Sequence, residues 1–164
     1  MDVRADSKTR SLVDPLLLAL AVASLATAGI HFAVIPEHFE EYVPYGVFFS
    51  IVAWLQGLWA LGVLIRPTRS ILLAAIVGNI ALIAMWGVSR STGLPMGPEP
   101  WTPESLGGVD VLCAALEAGI VVGCLQRLRR EKAMKRTETR SVAAVAAFAV
   151  VLIVLTTAAF EVSM

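Results

Sequence analysis

The sequence predicts an all-α integral membrane protein, a bundle of five transmembrane helices. Three observations predict it. Hydrophobic residues make up 57% of the 164-residue chain. They gather in five apolar segments, 15–35, 47–65, 71–88, 108–125 and 142–160. Each is close to the ~20 residues that cross a hydrocarbon core of ~30 Å. Twelve of the thirteen Lys and Arg residues then fall on one side of the zig-zag: Arg4, Lys8 and Arg10, then Arg66 and Arg69, then the run from Arg127 to Arg140. Only Arg90 lies on the other. Basic residues near span ends stay in the cytoplasm, so the N-terminus is expected inside and the C-terminus outside. The expected location is the plasma (inner) membrane of a bacterium, with 1–164 as a single multi-pass domain.

The first span starts well. Asp14 and Pro15 suit a helix N-terminus, since Pro at the first turn forfeits no hydrogen bond. The basic tail, the run Leu16 to Leu25 and Ala26-Thr27-Ala28 also resemble a cleavable secretory signal. Apolar residues continue through Ile30, Phe32, Val34 and Ile35, which favours retention as a full span. Ser24, Thr27 and His31 share one stripe, at i, i+3 and i+7. Pro36 is expected to end this helix. The connection from Pro36 to Gly46 is acidic and aromatic and holds His38, Glu40 and Glu41.

Pro44 sets up entry to the second span, where Gln56 shares a face with Phe49, Val52 and Trp59. The third carries Asn79, Trp86 and Arg90 on one stripe. The connection to the fourth is stiffened by prolines 95, 98, 100 and 103 and reads as a lid or a passive interfacial loop. In the fourth span Asp110, Cys113, Glu117 and Cys124 share a face, while Ala115, Gly119 and Gly123 lie opposite. That small-residue face allows close approach of the fifth span, a partner helix or a second copy. The basic loop 126–141 is expected to continue the fourth helix and to meet anionic lipid heads at 127–140. The fifth span has no ionisable group, only Thr156 and Thr157, and is expected at the periphery.

Polar groups inside spans normally face the bundle interior and often mark function. With the fourth span central, the stripes of four spans enclose a polar cavity that opens outward. Gln56, Asn79 and Glu117 fall at mid-depth, about 14 Å from the outer end at helical rise. Trp86, Arg90 and Cys113 line the cavity nearer the mouth. His31, Asp110 and Glu117 are the candidate inner ligands for a cation, with His38, Glu40 and Glu41 recruiting it at the entrance. Imidazole and carboxylate suit a divalent metal such as zinc, manganese or iron, and Cys113 within reach widens this to copper. The expected function is binding or conduction of a cation, either a proton or a divalent metal ion. The alternative is a non-catalytic accessory or scaffold subunit whose polar residues only fix helix packing.

Other chemistries are excluded or unsupported. Cys113 and Cys124 are about 16 Å apart along one helix, too far for a disulfide. With a single histidine in the spans, one subunit cannot supply a bis-histidine haem site. No nucleophile-elbow, phosphate-loop or dinucleotide motif appears, so no enzymatic reaction is specified. The one basic run lies beside a membrane without stacking aromatics, which argues against nucleic acid.

The elements His31-Phe32, Pro36-Glu37-His38, Gly46-Val-Phe-Phe49, Gln56 and Ser89-Arg90-x-Thr92-Gly93-x-Pro95-x-Gly97-Pro98 resemble those of small bacterial multi-span membrane proteins. The resemblance covers residues 29–110 and implies no activity. In size and layout the chain is also similar to the DoxX-like four-span proteins. That likeness rests on architecture and implies no residue roles.

Overall fold

Asp14 opens the first helix: its carboxylate accepts the Leu16 N–H at 2.9 Å, and Pro15 occupies the first turn. In this computed structural model the helices are α1 (Pro15–Glu41), α2 (Val43–Ile65), α3 (Arg69–Ser91) and α4 (Gly108–Ala133). The structure describes residues 14–133. The fifth apolar segment 142–160, the tail with Arg4, Lys8 and Arg10, and the basic residues after 133 lie outside the described residues. Among the described residues all regular structure is helical, and four helices are long and apolar enough to cross a membrane. The chain divides into two compact units after Gln126. The described part of the second, 127–133, is helical, with Arg127 Nη1 3.3 Å from Glu131 Oε1 one turn on.

Pro36 does not end the first helix. A proline ring removes one N–H and crowds the preceding turn, yet α1 runs through it for five more residues. What stops the helix is Tyr42, whose extended backbone (φ −161°, ψ 115°) breaks the repeat. Its N–H closes the last turn on His38 O at 2.9 Å. Tyr42 is also the whole α1–α2 connection, and Pro44 stands in the first turn of α2 as expected. Because the helix is continuous, His31 and His38 are seven residues apart on one face, two turns from each other.

The pairings give the topology. Ser24 meets Gln56, His31 meets Phe49 and His38 meets Tyr45, so α2 returns antiparallel to α1. α4 is likewise antiparallel to α1, with Leu20 beside Gly123 and His31 beside Cys113. Thr68 caps α3 by accepting the Ile71 N–H, and Trp59 Nε1 donates to Ile71 O at 2.9 Å, tying α2 to α3. α4 therefore touches α1 at His31, α2 at Gln56 and α3 at Arg90. α2 likewise touches the other three, α1 at Ser24, α3 at Ile71 and α4 at Glu117.

The distribution of side chains is the reverse of a water-soluble bundle. Leu18, Val22 and Leu25 on α1, Ile51, Trp54, Leu55 and Leu58 on α2, and Val77 and Ile80 on α3 are all exposed. Ser24, Thr27, His31, Gln56, Asn79, Ser89 and Glu117 are buried. So large an apolar surface is unfavourable in water and suits hydrocarbon, where packing and interhelical hydrogen bonds hold helices together. The interior is graded. Towards the Asp14 and Arg66 end it is filled by Leu17, Leu20, Val63, Leu72, Ile120 and Cys124. Polar groups begin one turn further along. Of the small-residue series, Gly123 is buried, and a Cβ there would press on Leu20 Cδ2. Ala115 and Gly119 are exposed.

Candidate metal centre

Three helices converge on Glu117. Its position four residues after Cys113 puts both side chains on one face of α4, turned towards α1 and α2. His31 projects from α1, where Ser24 and Thr27 prepare the approach. Ser24 Oγ donates to the Gln56 backbone carbonyl at 2.9 Å, locking α1 to α2, and Thr27 Oγ1 donates to Ser24 O at 2.9 Å. Gln56 then extends from α2 into the same space. His31 and Cys113 are each 7% exposed, Gln56 6% and Glu117 3%.

The distances are informative. His31 Nε2 lies 3.4 Å from Glu117 Oε1 and 3.7 Å from Cys113 Sγ, and Cys113 Sγ lies 4.0 Å from Glu117 Oε1. A charge-assisted imidazole–carboxylate hydrogen bond closes to about 2.7–2.9 Å, so the pair, at 3.4 Å, stands apart by about half an ångström or more. The edges of a coordination tetrahedron fit better. Metal bonds of ~2.0 Å to nitrogen, ~2.1 Å to oxygen and ~2.3 Å to sulfur give edges of about 3.4 Å (N···O) and about 3.6 Å (N···S and O···S). The triangle of three different ligand types matches these within about 0.4 Å. Among the described residues this is the one cluster of three or more such side chains with its donor atoms close enough to hold an ion.

Gln56 supplies a fourth polar terminus. Its Nε2 donates to Glu117 Oε1 at 3.4 Å, and its own Oε1 is buried with no hydrogen-bond partner. A buried amide carbonyl without a partner costs about 1–3 kcal/mol.

The remaining candidate residues lie elsewhere. Asp110 is held by Arg90 Nη2 at 2.6 Å and is committed to that ion pair. Arg90 also pairs with Glu104 and donates to Ser89 Oγ at 3.0 Å, while the Glu104 N–H donates to Ser89 O at 3.0 Å. This clasp fastens the end of the proline-rich connection to α3. Its other end is tied to α2, because Tyr45 donates its hydroxyl to Met96 O at 2.5 Å, beside Gly97 at φ +108°. Asn79 is buried but donates to Ala75 O of its own helix at 2.8 Å, and Trp86 Nε1 is buried without a partner.

His38 lies two turns from His31, half-buried, with Nδ1 3.2 Å from Glu41 Oε2. Glu40 and Glu41 are exposed. Phe49 stands against both histidines. It stacks on His38 at 4.1 Å and 6° and tilts against His31 at 5.4 Å and 39°. Sequence reasoning missed Phe49 in this role and missed Glu104 as the second partner of Arg90. It set Cys113 on one face with Glu117 and within reach of the ion, but counted it with the cavity wall and not with the inner ligands. Both cysteines are free, and Cys124 is buried in the apolar end.

No family model, curated protein or solved structure matches the chain.

Proposed function

We propose that this protein is a membrane-embedded bundle that binds a divalent transition-metal cation through His31, Cys113 and Glu117. The observation that carries the reading is the triangle of imidazole, thiol and carboxylate atoms at 3.4, 3.7 and 4.0 Å. That spacing favours a metal over a proton, because a proton shared between His31 and Glu117 calls for a short hydrogen bond. Sulfur and imidazole favour zinc-type or copper ions over magnesium or calcium, which prefer all-oxygen sites. The alternation of basic residues puts Tyr42 and the 92–107 connection on the face away from the cytoplasm. Glu37, Glu40, Glu41, Glu99 and Glu104 lie on that same face and would concentrate cations there.

Purified protein loaded with zinc and desalted is expected to retain a stoichiometric ion. His31→Ala is expected to weaken zinc binding at least about tenfold, the minimum seen when even the supporting shell of a metal site is altered. Equal, negligible zinc retention by wild type and variant overturns the reading.

A further inference from the structure

The reading above leaves one donor place open, because three protein ligands do not complete a tetrahedron. We infer that the side-chain carbonyl of Gln56 is the fourth ligand, making a four-coordinate, zinc-type site of one nitrogen, one sulfur and two oxygens. The inference rests on the metal reading and deepens it.

Two observations on Gln56 point the same way. Its amide group approaches Glu117 Oε1 at 3.4 Å, and its Oε1 is buried and unpartnered. The two ends of an amide are nearly the same shape, so a half-turn about the last side-chain torsion exchanges Nε2 for Oε1. The exchange puts a carbonyl oxygen about 3.4 Å from the Glu117 oxygen, the edge that two ~2.1 Å metal–oxygen bonds make in a tetrahedron. Glu117 Oε1 is then a common vertex, with His31 and Gln56 each at 3.4 Å and Cys113 at 4.0 Å.

The amide has a use in both states. Without an ion, its N–H donates to the carboxylate of Glu117. With an ion, its oxygen turns to the cation, which also relieves the unpartnered carbonyl. The Gln56 backbone is held for either state, since its carbonyl accepts the Ser24 hydroxyl at 2.9 Å. Leucine or methionine at this position would fill the space and provide no oxygen.

Cobalt(II) titration of the purified full chain tests the inference, because cobalt reports both sulfur ligation and coordination number in its absorption spectrum. Wild type is expected to show a thiolate-to-cobalt charge-transfer band and the intense visible bands of a four-coordinate ion. Gln56→Leu is expected to keep the thiolate band, lose about 10- to 100-fold in affinity, and show the weaker visible bands of a higher-coordinate, hydrated ion. Gln56→Glu keeps an oxygen donor and adds charge, so it is expected to bind cobalt more tightly than wild type.

A Gln56→Leu protein with wild-type affinity and spectrum overturns the inference and leaves the metal reading intact. Should Gln56→Leu not fold, Gln56→Glu decides, and affinity equal to or below wild type overturns the assignment. A wild type that gives no cobalt bands at all defeats the metal reading itself.

Discussion

Glu117→Gln is expected to cost more than about 100-fold in zinc affinity while leaving the stability of the ion-free bundle close to that of wild type. The two effects have separate causes. Glutamine has almost the shape of glutamate, so packing among His31, Cys113 and Gln56 is kept. What disappears is the one carboxylate in the cluster, which is 3% exposed. The amide keeps a hydrogen-bonding oxygen in the same place, so the ion-free fold is expected to change by no more than about 0.5–1.5 kcal/mol, the net worth of one hydrogen bond. The cation, in contrast, loses its only anionic oxygen. Saturating zinc should stabilise the wild type by about 2.7 kcal/mol at a hundredfold excess over the dissociation constant, and the variant by far less. Unfolding in detergent with and without zinc, beside calorimetric titration, reads both quantities. A variant that is destabilised without zinc and binds zinc normally would assign Glu117 to helix packing alone, as an accessory subunit requires.

Arg90→Met is expected to destabilise the fold by about 1.5–3 kcal/mol, the range for losing hydrogen bonds to a charged group. Arg90 joins α3 to Asp110 of α4 and to Glu104 of the connection between them. Removing it leaves two carboxylates without their cation. The lower part of the range applies, because Asp110 and Glu104 are 37% and 45% exposed and water screens them. Added salt should narrow the difference between wild type and variant. A double-mutant cycle with Asp110→Asn isolates the α3–α4 pair, and a coupling energy near zero would refute the clasp. Amide exchange in residues 99–105 should quicken in Arg90→Met, since the Glu104 N–H to Ser89 O bond depends on the same anchor.

Much of this arrangement was legible from helical periodicity. Once four segments are taken as spans, His31 and Glu117 follow as inward-facing groups because hydrocarbon penalises any other orientation. The same reasoning found the apolar end of the interior, while the central place expected for α4 is shared with α2, which also meets the other three helices. It failed where a residue has a partner close by in sequence. Asn79 turns its amide N–H to Ala75 O, a turn earlier in its own helix, and leaves its Oδ1 buried without a partner. Asp110 finds Arg90 across a connection whose path has no periodicity to follow. Pro36 was misleading for a different reason. Proline predicts a break from local sterics, but one lost hydrogen bond near a helix end is offset by continued packing, and the break falls at Tyr42. Phe49 between two imidazoles depended on that continuity, so it was hidden by the same error.

The aromatic ring between the histidines also gives the protein an internal spectroscopic reference. The chain has two imidazoles in all, and His38 lies face to face with Phe49 while His31 does not. Circulating electrons in the phenyl ring should displace the His38 proton resonances upfield and separate them from those of His31. A diamagnetic ion seated on His31 Nε2 should shift one pair of signals and leave the other nearly fixed. Magnetic resonance of the histidine-labelled protein can therefore follow occupancy at the deep position without any added probe.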